Sequence, residues 1–245
     1  MSTHLIIPDP HVKVGVSNDR LIWAGKFARE LKPDVIVCLG DWVSMDSLSH
    51  FDRGKKAFEG RRYNKEIDHA EDALDIFSHY LYTKKPRKVM LGGNHEYRIT
   101  KFVNDNPELD GKLSVQDIPF KAYGWEYHDY EIPVEIDGIL YCHHFASGIM
   151  GRPISGDNIA SGLLKKNHQS TTAGHSHLFD YAVRSMINGR KLMGLNAGCY
   201  LNHKESFAKG TQHLWTSGLV VKRNVSKGEY NLQTIGIKEL KKRYG

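Results

Sequence analysis

The chain repeatedly builds a short apolar run and then breaks it with a polar turn, and this pattern constrains its fold more than any other feature. The runs are His4 to Pro8, Val35 to Leu39, Lys88 to Leu91, Ile139 to Cys142, Ser170 to Ala173 and Lys191 to Leu195. A continuous apolar stretch of about four to eight residues bounded by turn chemistry reads as a strand buried on both faces. Helix-like stretches separate the early runs. Arg20 to Leu31 places Leu21, Ala24, Phe27, Ala28 and Leu31 on one face, with Pro33 as a stop. Tyr63 to Tyr82 does the same with Ile67, Ala70, Leu74, Phe77 and Leu81, ending before Lys84, Lys85 and Pro86. The alternation predicts an α/β sheet at the start. Hairpin-like spacing later, including Gly218 to Ile237 around a Lys227-Gly228 turn, predicts a layered, mixed α/β architecture.

At 245 residues with 40% hydrophobic content, the chain is long enough for one sizeable core, so a single domain over 1–245 is expected. A basic insert at 51–63 and a short basic tail at 238–245 decorate it. No run approaches the roughly 18 apolar residues of a membrane helix, and the start lacks a basic stretch followed by an apolar one. A cytoplasmic protein with no membrane partner is therefore expected. Cys38, Cys142 and Cys199 lie in or beside strand-like runs without short-range pairing, which predicts reduced core thiols rather than disulfides. The formal net charge of +6 and pI near 9.0 favour an anionic partner or substrate.

The turns that end the runs carry the chemistry. In order they are Asp9-Pro10-His11, Gly40-Asp41, Gly93-Asn94-His95-Glu96, His143-His144 and Gly174-His175-Ser176-His177. The C-terminal ends of strands are where open α/β sheets present ligand sites. Each motif alone is weak, but together they bring carboxylates, an amide oxygen and several imidazoles to one rim. Oxygen and imidazole donors without thiolate suit manganese, iron or zinc rather than a structural cysteine site. Two metals about 3.5 to 4 Å apart clamp an in-line displacement at phosphorus. Asp41, ending the second strand, is the natural carboxylate to bridge them.

The order D-x-H, G-D, G-N-H-E, H, G-H-x-H resembles the calcineurin-like metallophosphoesterases, from Asp9 to His177, with Asn196-Ala197-Gly198-Cys199 similar to the turn that follows. The resemblance implies a layered αββα sandwich of mixed sheets flanked by helices. It implies two divalent metal ions, manganese first, with iron, zinc or nickel as alternatives. Asp9, His11 and His177 would hold one ion, Asn94, His143 and His175 the other, and Asp41 would bridge. His95 would be a non-ligating catalytic residue that protonates the leaving oxygen or stabilises its charge. A hydroxide shared by the metals would be the nucleophile. The family usually shows one His followed by Gly at the fourth motif, so His144 stands as the alternative to His143. The Asp-Arg-Gly signature of the Ser/Thr phosphatases does not follow Gly40-Asp41, since Asp52-Arg53-Gly54 comes too late.

Arg53, Lys55, Lys56, Arg61 and Arg62 in the insert are candidate substrate-binding residues, with Phe51, Phe58 and Tyr63 interleaved for stacking or for anchoring the loop. The leading expectation is a phosphodiesterase or nuclease acting on a nucleotide or nucleic acid. A phosphomonoesterase on a small molecule or phosphoprotein is the second reading, and a catalytically silent binding protein the third. The oligomeric state is not legible.

Overall fold

Neighbouring side chains on the central strands point into different cores. On β1 (Ser2–Ile7), β2 (Val35–Cys38) and β3 (Arg87–Leu91), the residues Ile6, Val35, Val37 and Val89 face one apolar cluster, and Leu5, Ile7, Ile36, Cys38 and Met90 face another. Burial on both faces explains why these strands are continuously apolar. The computed structural model describes residues 1–81, 86–208 and 210–245. The expected helix end at Tyr82 and the following Lys84 and Lys85 lie outside the described residues.

The first sheet continues with β4 (Trp125–His128), β10 (Gly218–Ser226) and β11 (Glu229–Gly236), in the order β11-β10-β1-β2-β3-β4. β1 to β4 run parallel, and β10 and β11 join as an antiparallel hairpin. Its turn places Lys227 at φ 51 and Gly228 at φ 87, a left-handed pair that matches the twist of a tight hairpin. The second sheet contains β5 (Val134–Ile136), β6 (Ile139–Tyr141), β7 (Ser170–Ala173), β8 (Phe179–Ser185) and β9 (Lys191–Ala197). Its order is β5-β6-β7-β9-β8, with parallel pairing at its centre and antiparallel pairing at both edges.

Ile6, Val37 and Leu39 of the first sheet meet Ile139, Tyr141 and Leu195 of the second. Helices cover the outer faces, so the layers run αββα. On the first sheet α1 (Asp19–Leu31) and α2 (Tyr63–Tyr80) bury Leu21, Ala24, Phe27, Leu74 and Phe77. They approach closely at Gly25, where an added Cβ would lie 2.7 Å from the Tyr80 Cβ. α3 (Tyr97–Asp105) follows β3, and α4 (Ile159–Asn167) packs Ile159 and Leu163 on the second sheet. The basic tail is a helix, α5 (Ile237–Tyr244), whose Leu240 is fully buried in the core shared with α1. All three cysteines are free and buried. Among the described residues, no helix is long and apolar enough to cross a membrane.

Candidate metal centre

Parallel pairing sends the ends of β1, β2 and β3 to one rim, and the loops beyond them stay stitched together. His11 N donates to Asp41 O at 2.8 Å, Val12 N to Trp42 O at 2.7 Å and Ser44 N to Val12 O at 2.9 Å. The backbone turns sharply as each strand ends. Asp9, His11, Asp41, His175 and His177 have φ of 36, 43, 48, 68 and 62°, left-handed values that cost a non-glycine residue about 1 kcal/mol or more each. Strain of this kind persists only where the surroundings over-determine it, and it turns these side chains inward. Two glycines make the approach possible. A Cβ on Gly93 would lie 2.1 Å from Asp41 Oδ1, and one on Gly174 would lie 2.3 Å from Asp9 Oδ1.

Asp9, His11 and His177 converge on one side, with His11 Nε2 3.1 Å from His177 Nε2 and His177 Nε2 3.4 Å from Asp9 Oδ2. Asp41, His143 and His175 converge on the other, joined by the Asn94 side-chain oxygen. There His143 Nε2 lies 2.9 Å from Asn94 Oδ1 and 3.1 Å from His175 Nδ1, and His175 Nδ1 lies 2.8 Å from Asn94 Oδ1. Asp41 Oδ2 stands between, 3.6 Å from His11 Nε2 and 3.4 Å from His143 Nε2. His144 sits outside this set: its Nε2 faces Glu131 Oε1 at 3.3 Å.

The donor set fits divalent cations. Burial pushes the Asp9 carboxyl up to about 7 and Asp41 up to about 8, while burial holds His175 down to about 3 and His177 to about 4. His11 and His143 are likewise lowered by burial, so the imidazoles are neutral. His143 Nδ1 donates to Leu39 O at 2.9 Å, which leaves its Nε2 lone pair aimed at the Asn94 oxygen and the other donors. Asp9 Oδ1 and His11 Nδ1 are buried with no hydrogen-bond partner. Lone pairs and carboxylates gathered out of water in this way call for a cation.

His95 lies beside both sides. Its backbone N–H donates to Asp41 Oδ1 at 2.9 Å, and its ring Nδ1 donates to Ser44 O at 2.6 Å. Its Nε2 faces Arg98 Nη2 at 3.3 Å and Asp41 Oδ2 at 3.9 Å, and burial, then Arg98, holds it well below the ordinary imidazole value. Sequence reasoning assigned no role to Glu96 or Arg98. Glu96 is fully buried and accepts from Asp41 N at 3.0 Å, Gly93 N at 2.9 Å and Val43 N at 3.1 Å, which locks the β2 and β3 loops together. Asn196 plays a similar part, donating to Ser176 Oγ at 2.7 Å and to Leu178 O.

The basic insert divides. Arg61 turns inward, donating to Asp52 Oδ2 at 2.7 Å and Asp46 O at 3.0 Å, and Lys55 lies 3.7 Å from Asp52 Oδ1. Arg62 and Lys56 lie on the outside of the loop. Arg53 alone among the five lines a cleft of about 270 Å³ that starts at Asn94, and it is joined there by Arg98 and Lys101, which sequence reasoning did not select. Tyr63 anchors the insert through its hydroxyl to Asp117 Oδ2 at 2.6 Å.

The family model for calcineurin-like phosphoesterases matches residues 3–188, a span that contains every predicted site residue. No sequence among curated proteins matches the chain. One solved structure aligns over 96% of this chain and 99% of its own, with 13% identity and a TM-score of 0.46.

Proposed function

The chain belongs to the calcineurin-like phosphoesterases, a family of metal-dependent phosphoester hydrolases, and from that premise we propose that it hydrolyses a phosphodiester of a nucleotide or nucleic acid with two divalent metal ions. One observation carries the two-ion reading: the Asp41 carboxylate lies within 3.6 Å of a donor on each side of the site. Asp9, His11 and His177 would hold one ion and Asn94, His143 and His175 the other, with Asp41 placed to serve both. Ions in this position supply Lewis acidity and lower the pKa of a coordinated water towards about 7.

The chain's own groups do the rest. Glu96 and the Gly93 turn fix Asp41, and the Leu39 carbonyl fixes the tautomer of His143, which raises the precision of the donor set. The Ser44 carbonyl takes the His95 Nδ1 proton and so aims a Nε2 lone pair towards Asp41 Oδ2 at 3.9 Å; to act on the leaving oxygen this nitrogen must first take up a proton, which it would then pass on. The basic balance of the chain and the Arg53, Arg98 and Lys101 cations beside Asn94 favour a substrate with further phosphates.

The test is hydrolysis by the manganese-loaded protein of bis-p-nitrophenyl phosphate, p-nitrophenyl phosphate, a cyclic nucleotide and a single-stranded oligonucleotide. The diesters are expected to be cleaved faster than the monoester. Cleavage of the monoester alone would replace this reading with a phosphomonoesterase, and no cleavage of any would leave a binding protein.

A further inference from the structure

A phosphodiester carries two organic substituents, and the site offers an aromatic wall for each. On the side of His11 and His177, Phe207 stands over the donors, its ring centroid 5.8 Å from His11, 6.1 Å from His95 and 6.1 Å from His177. Trp215 backs it at 5.7 Å and meets His177 edge-on at 4.2 Å. On the side of Asn94 and His143, Tyr130 lies 6.3 Å from His143 and stacks on Tyr97 at 4.9 Å with 27° between the rings. Asp41 stands between the two donor sets and so between the walls.

Exposed apolar side chains scattered singly are normal on a surface, but two aromatic rings that flank one donor set give a ligand two faces to stack on. Phe207 is 47% exposed and Tyr97 40% exposed, and each offers surface at the rim. The cleft from Asn94 continues past Tyr97 and Tyr130 to Arg53 and Lys101, with Arg53 held over the Phe102 ring at 5.3 Å. Aromatic rings alternating with cations along a groove are what a single strand requires, because unpaired bases stack and the backbone phosphates meet positive charge. A base pair in a duplex shows only its edges to a protein and cannot occupy a stacking wall.

We propose that single-stranded nucleic acid lies across the metal centre from this cleft to the Phe207 side, with the base on one side of the scissile phosphate stacked on Phe207 and the base on the other side stacked on Tyr97. The proposal rests on the phosphodiesterase reading above, and it names the strand state and the residues that recognise it.

Fluorescence anisotropy of the manganese-loaded, full-length protein with a phosphorothioate-linked oligothymidylate and a phosphorothioate duplex of equal length tests it. Wild type should bind the single strand at least about ten-fold more tightly than the duplex. Phe207→Leu and Tyr97→Leu should each weaken single-strand binding about 5- to 150-fold, the worth of one base stack. Phe207→Tyr should restore it, which a purely structural role for the ring's position would not require of binding alone. Equal affinity for duplex, or less than about two-fold loss in both leucine variants, overturns the proposal. Hydrolysis of bis-p-nitrophenyl phosphate by the same wild-type preparation scores the phosphodiesterase reading separately: hydrolysis without strand preference sinks only the present inference, and strand preference without hydrolysis sinks only the catalytic one.

Discussion

Glu96 shows how one side chain can hold a site without facing it. Its carboxylate satisfies three backbone N–H groups from the two loops that carry Asp41, Asn94 and His95. Glu96→Ala would leave those donors buried and unpaired, at a cost of about 3 kcal/mol or more, since each orphaned donor costs roughly 1–3 kcal/mol. Urea denaturation of the metal-free protein measures that loss, and a variant as stable as wild type would show that the contacts are incidental. Glu96→Gln keeps the shape but turns an amide N–H towards backbone donors. Its metal affinity should fall about 10- to 100-fold, as for other supporting groups behind a ligand, and competition with a chelator reads this directly. His95 tests the opposite division of labour. His95→Ala should retain both metals and lose about 10²- to 10⁴-fold in turnover, with a smaller loss when p-nitrophenolate is the leaving group. Loss of a metal in that variant would place His95 among the ligands, beside His11 and Asp41, whose ligand atoms lie within 4.8 Å of its own. The clustered Asp, Asn and His side chains proposed as ligands were legible because each follows an apolar run. Glu96 stood inside a recognised motif, but its role depends on N–H groups more than fifty residues away in sequence at Asp41 and Val43, and no local pattern encodes that.

At the scale of elements, the strands legible in the sequence are those buried on both faces and the C-terminal hairpin marked by its Lys227-Gly228 turn, and the ones not legible are at the margins. β4, β5 and β8 are edge strands, and β8 is half-exposed along its first residues and exposed at its end. An edge strand needs no continuous apolar run, so Trp125 to His128 and Phe179 to Ser185 carry no strand signal of that kind. The basic C-terminal segment is a helix whose Lys238, Lys241, Lys242 and Arg243 are solvated, as the charge pattern suggests, while one buried leucine, Leu240, docks it. Leu240→Ala should destabilise the fold by about 2–5 kcal/mol, seen as a lower urea midpoint at unchanged slope. No shift would mean that α5 is held by its charged contacts, such as Arg243 with Glu30, rather than by the core. The basic insert carries the same lesson in reverse. Its five cations looked alike in sequence, whereas folding spends Arg61 on Asp52 and leaves Arg53 at the cleft. Phe207, Trp215 and Tyr130 were invisible as site residues because they reach the centre from loops with no motif of their own.

For the whole molecule, the centre couples stability to pH and to metal. Burial raises Asp9 to about 7 and Asp41 to about 8, so the metal-free fold favours these two carboxyls protonated where the unfolded chain ionises them. Stability from a raised carboxyl is present at low pH and is lost as pH rises through the folded value. The lowered histidines act in the opposite sense, but only below about 6.5, where the unfolded chain binds protons that the folded chain refuses. Between about 6.5 and 8 the raised carboxyls are opposed by the Lys222 amine, which burial lowers, so the carboxyl contribution is read against Asp41→Asn: the Tm of the metal-free wild type should fall more, or rise less, with pH than that of the variant. Divalent metal should reverse that trend, because it binds the ionised carboxylates and its stabilisation grows as protons leave. A metal-free wild type whose Tm responds to pH in the same way as that of Asp41→Asn across this window would contradict the account of the centre as carboxyls held protonated by burial.

The central claim is that Asp41 joins two metal sites, and elemental analysis of manganese-reconstituted protein at near-neutral pH tests it most directly. The account predicts two manganese ions per wild-type chain and no more than one in Asp41→Asn, whose neutral amide cannot offset two dications. One ion or none in wild type, or two retained by the variant, would contradict it.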